Sequence, residues 1–142
     1  MNISAKTEYA CIAVLELALH SDKGPPVQVR TIAEKHGIPS RFLVQILLQL
    51  KGAGLVASTR GIAGGYRLAK DPAQITLNDI WSTVEGRSLE SAANATVASP
   101  AARTLLAAWR RIADVERELL ETTTFADLAK ELQEPAESMY HI

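Results

Sequence analysis

The sequence contains a single cysteine, Cys11, and has no long hydrophobic run. One cysteine excludes an internal disulfide framework and cannot supply the several thiolates that structural zinc or an iron–sulfur cluster usually requires. No segment approaches the roughly 18 consecutive apolar residues of a membrane span, and the N-terminal segment carries Lys6 and Glu8 without a cleavage-site pattern. We therefore expect a soluble, cytoplasmic protein with no membrane partner.

The charge of the chain is unevenly distributed. The 142 residues suffice for one core with an extension, and their formal net charge is −1. Up to Lys70 there are nine Lys/Arg and four Asp/Glu, giving +5, whereas six and twelve follow, giving −6. A basic first half is typical of a module that faces a polyanion, but ordinary solvated faces give the same sums.

Three helical segments come first along the chain. Apolar spacing predicts a helix from about Ser4 to His20, and a second, short helix that follows Pro25–Pro26 and ends at Gly37. Pro39 suits the start of a third helix. The apolar stripe of that helix consists of Leu43, Ile46, Leu47 and Leu50. Two short helices joined by a glycine-containing turn predict a helix-turn-helix.

A β-hairpin is predicted directly after these helices. LVAST, RGIAGG and YRLA have the patterns of a strand, a glycine-rich turn and a strand. Thr76 with Asp79, and Thr124 with Asp127, have the spacing of helix caps and predict two further helix starts. The expected fold is mainly α with a small β-hairpin wing.

The segment from Ile32 to Gly86 resembles the Rrf2 (Rrf-two) family of bacterial winged-helix regulators. Its AGLV, RG, GGY, LA and VEG elements carry the resemblance, and the match runs from about Tyr9 to Gly86. The resemblance implies a winged helix-turn-helix domain over 1–86 and a long helix that pairs with a second copy. The implied function is a transcriptional regulator, and specifically a repressor, that binds a pseudo-palindromic double-stranded DNA operator as a homodimer.

The later part of the chain suits the implied dimer. From Ala101 to Glu121, apolar residues recur on one helical side: Leu105, Trp109, Ile112, Leu119 and Leu120. Packing against the core is the ordinary interpretation of such a stripe. We favour dimer packing because a small domain leaves little surface for so long a helix, and the predicted interface residues are Leu105, Trp109, Ile112 and Leu119.

The remaining boundaries follow from this assignment. We assign 102–134 to the dimerisation helix and a terminal helix, 87–101 to a flexible loop, and 135–142 to a loose tail. The family includes members that respond to a partner protein or a metabolite, so the resemblance makes the 87–101 loop a candidate effector region. A flexible connector is the alternative for this loop.

Candidate DNA contacts come from three places. On the third helix, the face opposite the apolar stripe carries Ser40, Arg41, Val44, Gln45 and Leu48, of which the first four are the candidate contacts. The wing contributes Ser58, Thr59, Arg60, Gly64, Gly65 and Arg67, and its glycine-rich tip allows a close backbone approach to DNA; an ordinary exposed hairpin is the alternative. At the start of the second helix, Gln28, Arg30 and Thr31 suit a phosphate, and an exposed surface without a DNA role is the equal alternative. Arg41 suits a guanine or a phosphate, and Gln45 an adenine or solvent. Many family members have Glu where this sequence has Val44. A glutamate carboxylate suits the amino group of cytosine, whereas the valine side chain suits the methyl group of thymine.

The cluster-binding members of the family carry three cysteines between the VEG element and the long helix, where this sequence has RSLESAANATVASPAA. We therefore expect no cluster, no other metal and no cofactor. Glu8 is predicted to be a surface carboxylate, and Cys11 a small buried apolar residue rather than a redox switch. The histidines, His20, His36 and His141, lack the spacing of zinc ligands.

Two other classes of function are weighed against the regulator. A phosphate loop, a nucleophile elbow and locally spaced acid–base groups are absent from the sequence, which disfavours an enzyme. A winged-helix protein-interaction module, or a regulator controlled by a partner protein with weak DNA binding, is the main alternative. Such a module has no need of donors at Arg41, Gln45 and Arg60, which favours the regulator.

Overall fold

The computed structural model describes residues 2–21, 24–62, 64–86 and 99–134. In chain order they form α1 (Ala5–Leu19), α2 (Val29–His36), α3 (Ser40–Gly52), β1 (Val56–Thr59), β2 (Gly65–Leu68), a 3₁₀ turn (Pro72–Gln74), α4 (Leu77–Glu85), α5 (Pro100–Thr122) and α6 (Phe125–Gln133). The mainly helical fold with a hairpin wing is confirmed. The predicted tail, His141 and most of the 87–101 loop lie outside the described residues.

Local capping explains where the helices begin and end. The hydroxyl of Ser4 accepts a hydrogen bond from the backbone N–H of Thr7 and starts α1. Gly37 ends α2 at φ 64°, a left-handed conformation that glycine adopts without a steric penalty. Thr76 and Asp79 form the predicted reciprocal capping box of α4. Pro39 is the cap that precedes α3 rather than its first helical residue.

The core is built around α1, which packs against α2, α3, α4, α6 and β2. Its buried face consists mainly of small residues, including Ala10 and Ala13, which allow neighbouring helices to approach closely. The predicted apolar stripe of α3 is fully buried: Leu43, Ile46, Leu47 and Leu50 are each at most 1% exposed. Burial of this stripe turns the opposite face of α3 to solvent.

The terminal helix α6 returns to the winged domain. Phe125 is fully buried and belongs to the same core cluster as the residues of α1 and α3. Two backbone hydrogen bonds join the α5–α6 junction to the start of α4: Leu77 N to Thr123 O at 3.0 Å, and Phe125 N to Ile75 O at 2.9 Å. The core of residues 1–86 therefore also includes α6. None of the described helices is long and apolar enough to cross a bilayer.

Candidate DNA-binding interface

The exposed face of α3 carries the four residues predicted to read bases. Ser40, Arg41, Val44 and Gln45 are all exposed, and the stripe on the opposite side is buried. The guanidinium of Arg41 lies 5.9 Å from the centre of the Phe42 ring, within the range of a cation–π contact. This contact restricts the long side chain of Arg41 at the start of the helix, where recognition helices approach base edges.

The wing is an antiparallel pair in which Val56 faces Leu68 and Thr59 faces Gly65. A third segment extends it, because Val27 and Tyr66 exchange backbone hydrogen bonds of 2.8 and 2.7 Å. The predicted contact residues Ser58, Thr59 and Arg60 are exposed. Ile62 is fully exposed at the wing tip, and the sequence analysis did not include it.

Gly64 and Gly65 shape the wing from inside. A Cβ on Gly64 would lie 2.2 Å from the carbonyl oxygen of Thr59, and a Cβ on Gly65 would lie 2.4 Å from that of Val27. Gly64 is buried and Gly65 is half-buried. The close backbone approach that the sequence analysis assigned to DNA is thus made within the chain, so both glycines have an architectural role that the sequence did not reveal.

Three further candidates have partners within the chain. The side chain of Gln28 donates from Nε2 to the carbonyl oxygen of Ile62 at 3.1 Å, and Arg67 donates from Nη2 to that of Gly24 at 2.9 Å. Arg30 pairs with Glu34 at 2.9 Å on the solvent-exposed side of α2. Gln28 and Arg67 therefore hold the wing against the segment before α2, whereas Thr31 is simply exposed.

Lys51 is a basic residue of this surface that the sequence analysis missed. Its Nζ donates to the hydroxyl of Ser58 at 2.7 Å and joins the end of α3 to β1. The available signal was the charge pattern: the chain has no acidic residue between Glu34 and Asp71. The recognition helix and the wing therefore form a surface whose charged side chains are all basic.

The predicted stripe on α5 is exposed to solvent. Leu105, Trp109, Ile112 and Leu119 are between 52% and 61% exposed, and Val115, which was not predicted, is 56% exposed on the same side. The placement of Leu120 with this stripe was wrong. Leu120 is only 9% exposed because the protein's own residues cover this side of α5 near its C-terminal end.

Over residues 3–131 the chain matches the family described as "Rrf2: Iron-dependent Transcriptional regulator". It is 37% identical over 129 residues to the HTH-type transcriptional regulator CymR of Bacillus subtilis, a match that covers 91% of this chain and 90% of CymR. The chain belongs to the Rrf2 family. The HTH-type regulator IscR of Cronobacter sakazakii is 42% identical over 85 residues, which are 60% of this chain and 52% of IscR.

Solved structures give the same relationship for this Rrf2-family protein. The structure of CymR, the global cysteine regulator of B. subtilis, matches with a TM-score of 0.83 and 36% identity over 92% of this chain and 98% of that one. T. potens IscR matches with a TM-score of 0.76 and 32% identity over 99% and 97%. The chain is thus a winged-helix, DNA-binding transcriptional regulator and not an enzyme.

The iron in the family description does not fit the residues of this chain. Cys11 is the only cysteine, whereas iron–sulfur clusters are held mainly by several thiolates. Burial, with a smaller contribution from Glu8, raises the pKa of the Cys11 thiol to about 11, so it stays protonated at neutral pH. Within the described ranges, no group of three or more His, Cys, Asp or Glu side chains is placed to hold a metal ion.

Proposed function

We propose that this Rrf2-family regulator represses transcription as a homodimer that binds a pseudo-palindromic operator without an iron–sulfur cluster. The observation that carries the proposal is the exposed face of α3, flanked by a wing without acidic residues. Phosphates attract such a basic surface, and the exposed donors of α3 reach base edges in the major groove.

Each side chain has a defined role in this proposal. Arg41 donates to guanine O6 and N7, and Gln45 pairs with adenine one helical turn later. Val44 offers an apolar surface to a thymine methyl group. Arg60 contacts a phosphate or the narrow minor groove. Ser58 accepts a hydrogen bond from Lys51, so its own O–H remains available to donate to a phosphate.

The exposed stripe of α5 supports the homodimer. Its members, Leu105, Trp109, Ile112, Val115 and Leu119, follow one another at intervals of three or four residues along one side. A contiguous apolar surface of this kind marks an interaction site, and the commonest soluble assembly is a twofold dimer. Pairing of two α5 helices gives a symmetric protein, which matches the symmetry of a pseudo-palindromic site.

The experiment is operator selection from a random duplex pool, followed by affinity measurements at several salt concentrations. We expect half-sites about one helical turn apart and an affinity much higher than for scrambled DNA. Arg41→Ala and Gln45→Ala should each weaken specific binding by about 1–3 kcal/mol and relax one position. Arg110→Ala removes the same charge as Arg41→Ala from an exposed site on α5 and should leave binding unchanged.

A protein-interaction module is the second candidate. Phe42, Val44 and Leu48 are 49%, 42% and 54% exposed on α3, and such a patch also suits a protein partner. Two results together would favour this candidate. Selection would yield no enriched site, and the wild-type protein and the Arg41→Ala variant would bind all DNA with equal affinity.

A further inference from the structure

Glu16 is a buried carboxylate with one unsatisfied oxygen. Its side chain on α1 is 2% exposed. Oε1 pairs with Nζ of Lys35 at 2.5 Å and with Nε2 of His36 at 3.2 Å. Oε2 is buried and has no hydrogen-bond partner among the described residues. The Nε2 atom of His20 lies 3.6 Å from Oε2, which is too far for a hydrogen bond.

This carboxylate lies in the wall of a cleft between α1, α2 and α6. The cleft has a volume of about 610 Å³, within the range of small-molecule sites. Beside the charged groups, the cleft is lined by the apolar side chains Ile12, Leu15, Leu19 and Leu132. Leu132 is 58% exposed, so this wall is open to an incoming ligand.

We propose that this cleft binds a small zwitterion with an apolar side chain, that is, an α-amino acid. The ammonium group donates to Oε2 of Glu16, once a rotation of that side chain brings the buried oxygen to the cleft surface, and the carboxylate accepts from Lys35 and His20. A simple amine would add a positive charge beside Lys35 without a counter-charge. A simple carboxylate would face Glu16 and leave Oε2 unsatisfied. Only a ligand with both groups satisfies both sides of the cleft.

The site is also positioned to influence DNA binding. Lys35 and His36 lie on α2, the first helix of the helix-turn-helix, and Leu132 lies on α6, which directly follows α5. An amino acid that bridges α1, α2 and α6 would restrain α2 relative to the proposed dimerisation helix, which gives the ligand a route to a regulatory effect. This regulatory consequence rests on the proposed function, whereas binding in the cleft does not.

The test is methyl NMR of the full chain without DNA, titrated separately with each of the twenty proteinogenic amino acids at millimolar concentration. We expect at least one with an apolar side chain to give saturable shifts of the Ile12, Leu15, Leu19 and Leu132 methyl signals. Its deaminated and decarboxylated analogues should give none. Leu132→Asp, at an exposed position, should abolish the shifts, whereas Glu131→Ala on the same helix but outside the cleft should retain them.

Two results would overturn the proposal. One is that no amino acid shifts these methyl signals, as expected for a cleft already filled by a second copy. The other is that Glu16→Gln, shown to be folded by its NMR spectrum, binds the same amino acid with unchanged affinity. Failure of the DNA-binding proposal would leave the titration unaffected, so the two proposals are tested separately.

Discussion

The side chain of Gln28 is hydrogen-bonded to the wing tip, with its Nε2 3.1 Å from the carbonyl oxygen of Ile62. Gln28 is the residue before α2, so the bond connects the start of the helix-turn-helix with the hairpin 34 residues later. Gln28 is one of the residues for which the sequence predicts either a phosphate contact or an exposed surface. The geometry gives it a second role, which is to hold the wing before DNA arrives.

Gln28→Met keeps the size of the side chain but removes this bond. We expect faster amide hydrogen exchange in the wing of the DNA-free protein, because wing opening no longer breaks the Gln28–Ile62 contact. Specific DNA affinity should fall by up to about 1 kcal/mol, the usual contribution of one hydrogen bond. Thr31→Val, on the same exposed surface, is the control for the exchange measurement and should leave wing exchange unchanged. If amide exchange in the wing is unchanged in Gln28→Met, Gln28 does not hold the wing, and contact with DNA is the only role that remains for it.

Val44→Glu should change the base preference of the regulator. Val44 is 42% exposed between Arg41 and Gln45, where a carboxylate suits the amino group of cytosine and an isopropyl group suits the methyl of thymine. We expect selection with the variant to replace thymine by cytosine at one position per half-site, with a discrimination of about 1–3 kcal/mol. Val44→Ala should weaken the preference without redirecting it. An identical operator for Val44→Glu would place Val44 away from the bases.

Two glycine substitutions should have opposite effects on stability. Gly65→Ala places a Cβ 2.4 Å from the carbonyl oxygen of Val27, so β2 must move and its bonds to Val27 weaken. We expect a loss of about 1–3 kcal/mol in the free energy of unfolding. Gly52→Ala, in the last turn of α3 with open space around it, should gain about 0.5–1 kcal/mol. Urea denaturation at one fixed protein concentration measures both.

The charge cluster at Glu16 should make stability depend on acid pH. Burial acts to raise the pKa of Glu16, but the hydrogen bonds from Lys35 and His36 outweigh it and hold the pKa below its usual value. The unfolded chain therefore binds more protons, so the stabilisation is present above the unfolded pKa of about 4.3 and is lost as the pH falls through the lower folded value.

Glu16→Gln tests this pH dependence. We expect a loss of about 1–3 kcal/mol in unfolding free energy at neutral pH, because Lys35 and His36 lose a charged acceptor. The wild-type protein should lose stability more steeply than the variant below about pH 5, so the difference between them should shrink. Parallel curves for the two proteins from neutral to acid pH would contradict the cause assigned to the lowered pKa.

The helices and the wing could be predicted from the sequence because their signals are local. The α3 stripe from Leu43 to Leu50 has the helical period, and Thr76 with Asp79 has the spacing of a capping box, so neighbouring residues alone define them. The same locality explains why the exposed face with Arg41 and Gln45 was identified correctly as solvent-facing.

Contacts between distant segments could not be predicted in this way. His20 and His36 are 16 positions apart and lack the spacing of a ligand pair, yet the packing of α1 on α2 brings both next to Glu16. Leu119 and Leu120 are adjacent in a helical pattern that does not say which of them faces the core. Only the position of α5 relative to its neighbours decides that, because a single periodic stripe has the same appearance against a core or a second copy.

Trp109→Asp should convert the regulator into a monomer. Trp109 is 58% exposed at the middle of the α5 stripe, and a large aromatic residue at the centre of an interface commonly accounts for 2 kcal/mol or more of the binding energy. The variant also places an unpaired charge between two apolar surfaces. We expect light scattering to give twice 15.4 kDa for the wild-type protein and 15.4 kDa for the variant.

Ala107→Asp carries the same new charge on an exposed, different side of α5 and should stay dimeric. Because each half-site would then be bound separately, Trp109→Asp should also lose the preference for the palindrome over a single half-site. A variant that keeps the doubled mass would exclude the α5 stripe as the dimer interface, even if the protein binds DNA as a dimer.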